Sequence, residues 1–199
     1  MPVGRFSSRN LVVREGAESE DIKAIADRNG WVFAGQVERD PGAGVFYEVK
    51  WDPGNGGSVH YIVDEFADVV YLVVRNDDQG AAEESADRIA DQFPVRRLDD
   101  MLEEFDASVY PAGWAKALMR LGVGSPLVEN SDVVTRVRES VEHKDARVRR
   151  AALWAMVYAE WPVYRALLAQ MAGSDEDPHI AREAAQAVAR FDATEETGR

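Results

Sequence analysis

Cysteine is missing from all 199 residues, and only three histidines are present. The first absence removes disulfides, thiol nucleophiles and thiolate metal sites. The second leaves His60, His143 and His179 as the only near-neutral bases. No run of about eighteen apolar residues occurs, so no membrane-spanning helix is expected. Residues 1–10 contain Arg5 and Arg9, but the only apolar stretch behind them is Leu11, Val12 and Val13, which is too short for a signal peptide. A cytoplasmic location is the expectation. The serines at 19, 58, 85, 125 and 140 sit in no nucleophile elbow. The glycines at 42, 44, 54, 56 and 57 do not lead from a strand into a helix that opens with lysine or serine, so a phosphate-binding loop is not expected either. Nothing calls for a cofactor or a metal.

The chain does have enough apolar side chain to fill a core. With 46% hydrophobic residues it can fold as one large domain or two small ones. It also has a strong acidic bias. Residues 1–100 carry 11 Lys/Arg against 20 Asp/Glu, a net of −9, and residues 101–199 carry 12 against 16, a net of −4, which together give −13. Such a surface repels a phosphate backbone and attracts basic proteins, so no direct nucleic-acid binding is expected.

The first part of the chain alternates in period. Residues 11–13 suggest a short strand, and Ser19 is placed to cap a helix whose inward stripe is Ile22, Ile25 and Ala26, closed by Asn29 and Gly30. Trp31, Phe33, Gly35 and Val37 then alternate as a strand does. A turn over 41–44 precedes a second alternation, Val45, Tyr47, Val49 and Trp51. After the loop at 53–57, Val59, Tyr61 and Val63 define a third strand. Residues 69–74 are apolar at both parities, which predicts an interior strand covered on both faces. A helix opened at 76–78 follows, with Ala82, Ala86, Ile89, Ala90 and Phe93 inward, and Pro94 stops it. These elements predict a small α+β domain over 1–96, with a mostly antiparallel sheet and its helices on one face.

Two groups in this domain invite a functional reading. Asp64, Glu65 and Asp68 with His60 resemble a ligand set, but neighbouring strand residues face opposite ways, so a charged turn is the plainer expectation. Tyr47, Tyr61 and Tyr71 fall on alternating strand positions and predict one aromatic cluster, buried or exposed.

Residues 97–130 suggest two bridging helices, one marked by Leu98, Met101, Leu102 and Phe105. The other opens at Pro111, turns Trp114, Ala117, Leu118 and Leu121 inward, and ends at 122–126. Beyond them the chain repeats itself at an offset of 32, with Asp145 over Asp177, Val148 over Ile180, Arg150 over Arg182, Ala152 over Ala184, Ala155 over Ala187 and Met156 over Val188. Each aspartate is placed to cap a helix, and each alanine allows a neighbouring helix to come close. A preceding helix is expected in each unit, marked by Val133, Val134, Val137 and Val141 in the first and by Val163, Leu167, Leu168 and Met171 in the second. Neither hairpin can hide its apolar face alone, so the two must stack. His143 and His179 precede the second helices at similar places and are expected as loop residues. Residues 193–199 are expected to form a disordered tail.

Asp145, Val148, Arg149, Ala152, Ala155 and Met156 together resemble the second helix of a HEAT repeat, a member of the armadillo-like superhelical class. The resemblance covers 131–192. In the second unit Ala181 stands where the family has arginine, with Arg182 adjacent. The resemblance implies protein recognition by stacked helices, and it gives Arg149 a structural role in pairing with an acid of the neighbouring repeat. Arg136, Arg138, Arg147, Arg149 and Arg150 are the one basic concentration in the chain. Trp154 and Tyr158 share a helix face, and Trp161 lies in line with them if the helix runs that far. Arg149, Arg150, Trp154, Tyr158 and Trp161 are therefore the candidate partner-binding residues, since interfaces favour aromatics and arginine. The expected function is a non-catalytic protein-binding module or adaptor with a protein partner, and a more specific version is an acidic inhibitor or immunity protein covering a basic toxin or nuclease. The alternative is a small enzyme with its site between the sheet and the bridging helices.

Overall fold

The computed structural model describes residues 5–17, 19–40 and 42–197, the side chains of 194–197 excepted. The chain divides into two compact units, Met1–Arg97 and Leu98–Arg199. Its fold class is α+β. Among the described residues, no helix is long and apolar enough to cross a membrane.

The first unit is an antiparallel sheet of strands β1 (Phe6–Ser7), β2 (Leu11–Val12), β3 (Val32–Val37), β4 (Tyr47–Asp52), β5 (Ser58–Asp64) and β6 (Val69–Asn76), with helices α1 (Ser19–Arg28) and α2 (Gln79–Ala90). β3 to β6 form a meander, and the spatial order is β1-β6-β5-β4-β3, with β2 also on β6. β6 is thus an interior strand, and Leu72, Val73 and Val74 are buried at both parities, as its continuous apolar run predicts. The helices share one face. Ile22, Ile25 and Ala26 of α1 and Ala86 and Ile89 of α2 pack with Val49, Trp51, Val59, Tyr61, Leu72 and Val74. Asp78 caps α2 by accepting the Ala81 N–H at 2.7 Å, which gives one otherwise unpaired helix donor a partner.

Two local expectations are corrected. Ser19 is the first residue of α1 and not its cap, and its hydroxyl donates to the Glu20 carboxylate at 2.6 Å. The residue before it, Glu18, lies outside the described residues, as does Pro41 of the predicted turn. The three tyrosines do not form one cluster. Tyr61 and Tyr47 lie on the helix-covered face, whereas Tyr71 is the register partner of Ile62 and faces the other way.

Among the described residues, the second unit has six helices: α3 (Leu98–Ala107), α4 (Pro111–Val123), α5 (Ser131–Val141), α6 (Ala146–Ala159), α7 (Tyr164–Ser174) and α8 (Pro178–Thr197). They pack in three successive pairs, α3 with α4, α5 with α6 and α7 with α8, with α4 also against α6 and α6 against α8. The bridging helices are therefore the first pair of this unit. α4 ends within the expected segment 122–126, at Val123 with Gly124 as its C-cap, and Gly122 lies in its last turn. The predicted tail is helical through Thr197, while residues 198–199 lie outside the described residues.

Candidate binding surface

The offset of 32 places matching caps on α6 and α8. Asp145 accepts the Arg147 N–H at 2.9 Å, and Asp177 accepts the His179 N–H at 2.8 Å. Asp145 also holds the Arg147 guanidinium, and these two contacts push its carboxyl down to about 2. Behind the caps the small and branched residues face inward. Val148, Ala152, Ala155 and Met156 of α6 are buried, as are Ile180, Ala184 and Ala187 of α8. The arginines and aromatics of α6 are left to the remaining positions.

Four of the five clustered arginines sit against carboxylates. Arg136 pairs with Asp106 at 2.6 Å, Arg147 with Asp145 at 2.7 Å, Arg149 with Asp175 at 2.9 Å and Arg150 with Glu183 at 2.7 Å. The cluster is thus a set of ion pairs and not an open positive pocket. Arg149 is the buried member. Its Nε and Nη2 donate to both oxygens of Asp175, and its Nη1 donates to the His143 carbonyl at 3.0 Å, tying the loop before α6 to the loop before α8. This is the structural role the repeat resemblance implies.

Arg150, Trp154 and Tyr158 recur at every fourth position of α6, so they form one stripe along the helix. Arg150 is exposed, and Trp154 and Tyr158 are half-buried. Arg150 and the Trp154 Nε1–H both donate to Glu183 of α8, at 2.8 Å and 3.3 Å, so one carboxylate orients both side chains. Trp161 is elsewhere. α6 stops at Ala159 with Glu160 in the left-handed region, and Trp161 is 3% exposed, stacked on Tyr164 at 5.5 Å with its indole N–H on the Pro126 carbonyl. Its ring belongs to the core, as does Arg149.

The histidines do not occupy equivalent places. His143 is in the loop before α6, with its Nδ1 accepting the Asp145 N–H at 3.0 Å and its ring against Trp114 at 4.8 Å. His179 is within the first turn of α8. The acids near the end of β5 also diverge. Asp64 is buried and accepts the Ala67 N–H at 2.9 Å, Glu65 pairs with Arg39, and Asp68 turns the chain at φ 52°. Among the described residues, no group of three metal-ligating side chains converges.

His60 does take part in a cluster that the sequence reading did not connect. Its Nε2 lies 2.7 Å from the Ser58 hydroxyl, and its Nδ1 bonds the Glu48 carboxylate. The carboxylate only accepts, so Nδ1 carries the hydrogen in the neutral ring and Nε2 accepts from Ser58. The order hydroxyl, imidazole, carboxylate is that of a nucleophilic relay. Here, however, Ser58 is 5% and His60 2% exposed, so the hydroxyl presents almost no surface to a substrate. The signal for the first two members was their i, i+2 spacing on one strand face. Glu48 joins them only through the pairing of β4 with β5.

The chain was compared with protein-family models, with curated proteins and with solved structures, and none of them matches.

Proposed function

We propose that the chain is a non-catalytic protein-binding module whose second unit is built of HEAT-like hairpins. Its contact surface is the outward stripe of α6 together with the adjoining part of α8. One observation carries this reading: Arg150 and Trp154 are both held by Glu183, which fixes a cation and an aromatic ring on one helix face in line with Tyr158. Side chains already held in place lose less freedom on binding, and arginine, tryptophan and tyrosine are the residues that interfaces concentrate at their centres. The net charge of −13 favours a basic partner, which suits an acidic inhibitor or immunity protein covering a basic toxin or nuclease.

The test is affinity capture from the native host, run in parallel with Arg150→Glu, Trp154→Ala and Tyr158→Ala. Loss of the same captured protein from these variants, with unchanged melting curves, supports the surface. Equal capture by all of them removes it. Affinity for that partner should also fall steeply between about 0.05 and 0.5 M salt, mainly through the association rate. A flat response would leave an apolar interface without electrostatic steering.

An enzyme is the second reading, and the Ser58, His60 and Glu48 relay is the observation in its favour. A fluorophosphonate probe that labelled Ser58 in the folded protein, and not in His60→Ala, would establish it.

A further inference from the structure

The sheet of the first unit ends in β3, whose only strand neighbour among the described residues is β4. The outer side of such a strand leaves backbone N–H and C=O groups without a partner strand. Its side chains are as open as its backbone: Val32 is 66%, Phe33 60% and Val37 46% exposed, and Ala34 and Gln36 are exposed between them. Exposure at both parities means that neither face of β3 is covered. Natural edges are usually blunted by lysine, proline or a bulge. Residues 32–37 contain no lysine or proline, and only a bulge between Phe33 and Gly35 is present.

We propose that β3 is a docking edge that takes up an extended segment of a partner protein, apolar in its middle and basic at both flanks. The backbone row selects an extended strand, because only a strand can pair with it along its length. The apolar side chains select the middle of that strand. Its flanks are selected by carboxylates at the two ends of β3. Asp52 is the register partner of Val32 at one end, and Glu38 and Asp40 follow Val37 at the other. Neutral donors hold all three: the Gly54 N–H on Asp52, the Gln36 amide on Glu38, and the Gly42 and Ala43 N–H groups on Asp40. These contacts leave the negative charges in place to meet lysine or arginine.

A second copy of the chain fits this edge less well. Antiparallel pairing of two β3 strands would bring Glu38 and Asp40 of each copy towards Asp52 of the other, like charge against like charge, with the intervening Arg39 already paired with Glu65, between molecules of net −13. The bulge adds local twist. A flexible single segment can follow that twist, whereas a second folded edge would have to match it. The proposal goes beyond the helical surface described above and stands without it.

The experiment uses the full chain and a synthetic peptide of alternating valine and threonine flanked by lysines. A glutamate-flanked version and a version with proline in its middle serve as controls. The lysine-flanked peptide is expected to bind and to slow amide hydrogen exchange at residues 32–37. The glutamate version should bind at least about tenfold more weakly, and the proline version should not bind. Val37→Lys and Val32→Lys, both at exposed positions, should each weaken binding without altering the melting curve. Absence of binding, or binding that is unchanged in both edge variants or leaves exchange in 32–37 untouched, overturns the proposal. So does a concentration-dependent dimer in sedimentation that Val37→Lys abolishes, because the occupant would then be a second copy.

Discussion

Gly122 of α4 lies directly on Ala155 of α6: a Cβ built on Gly122 would stand 2.3 Å from the Ala155 Cα and 2.8 Å from its Cβ. Both residues are buried, so the two helix backbones approach with no side chain between them. Glycine weakens a helix interior by about 1 kcal/mol relative to alanine, so its presence there marks a close approach that a methyl group would block. Gly122→Ala should therefore destabilise the second unit despite alanine's better helix propensity. The obstacle is backbone and cannot rotate away, so the loss should lie near the upper end of about 1–3 kcal/mol for overpacking. A denaturant melt with unchanged or raised stability would show that the helices do not meet here.

Ala152, fully buried one turn earlier on α6, tests the same packing from the other partner. Ala152→Leu adds a branched side chain where no space is open and should also cost about 1–3 kcal/mol. Ala185→Leu on α8 is the control, since that position is exposed and should tolerate the change.

Much of the helical unit was legible in the sequence because its rules are local. The aspartate caps and the buried alanines recur at the offset of 32, and both can be recognised from residue type alone. Arg149 reaching the acid of the next hairpin followed from the repeat resemblance. Gly122 was read only as part of the helix end, where it does lie, because its packing role depends on Ala155, far along the chain, and no local pattern distinguishes a packing glycine from a terminating one. The pair α3 and α4 lacks the capping aspartate and the alanines of the later repeats at that offset, with Gly113, Arg120 and Val123 where Asp145, Ala152 and Ala155 would match, so the sequence marked it as a bridge. In the sheet, alternation found the four successive strands as a meander and the run at 69–74 marked an interior strand, but neither gave the register between strands or which edge stays open. The openness of β3 and the meeting of Glu48 with His60 both depend on which strands are neighbours. Trp161 was set in line with Trp154 only on the condition that α6 continued, and the left-handed Glu160 ends it first.

The Arg149 and Asp175 pair predicts a response to pH and an asymmetry between single and double variants. Burial opposes ionisation of Asp175, but the Arg149 guanidinium and the Asp177 N–H together outweigh it and hold the carboxyl below the ordinary carboxylate range. The folded value is thus lower than the unfolded one. The pair's contribution is complete above the unfolded value of about 3.9 and is lost as pH falls through the depressed folded value. Asp175→Ala leaves a guanidinium whose side chain is only 10% exposed without its carboxylate, and should cost about 3–5 kcal/mol at pH near 7. Arg149→Met combined with Asp175→Leu should recover most of that loss, because neither charge is then stranded. Melts that rank the double variant below the single one would mean that Asp175 acts through some other contact.

The chain from Ser58 through His60 to Glu48 predicts which substitution alters acid stability and which alters stability alone. The His60 hydrogen bond lowers the Glu48 carboxyl, burial works against it, and the nearby charges of Arg75 and Lys50 add to the lowering. A depressed carboxylate contributes stability above its unfolded value, about 4.3, and loses it as pH falls through its folded value. Glu48→Gln keeps the shape and a hydrogen-bond acceptor but removes that titration. Its stability deficit should be constant from neutral pH to about 4.3 and should shrink below that, as the wild-type carboxylate takes up its proton. His60→Ala breaks both ends of the chain and strands a buried hydroxyl, so it should cost about 2 kcal/mol or more at every pH, whereas Ser58→Ala removes one neutral bond and should cost about 1. Chemical-denaturant melts of the three variants across that pH range separate these effects. A Glu48→Gln curve parallel to wild type throughout acid pH would show that the Glu48 charge does not stabilise the fold. The three groups would then be linked by geometry alone.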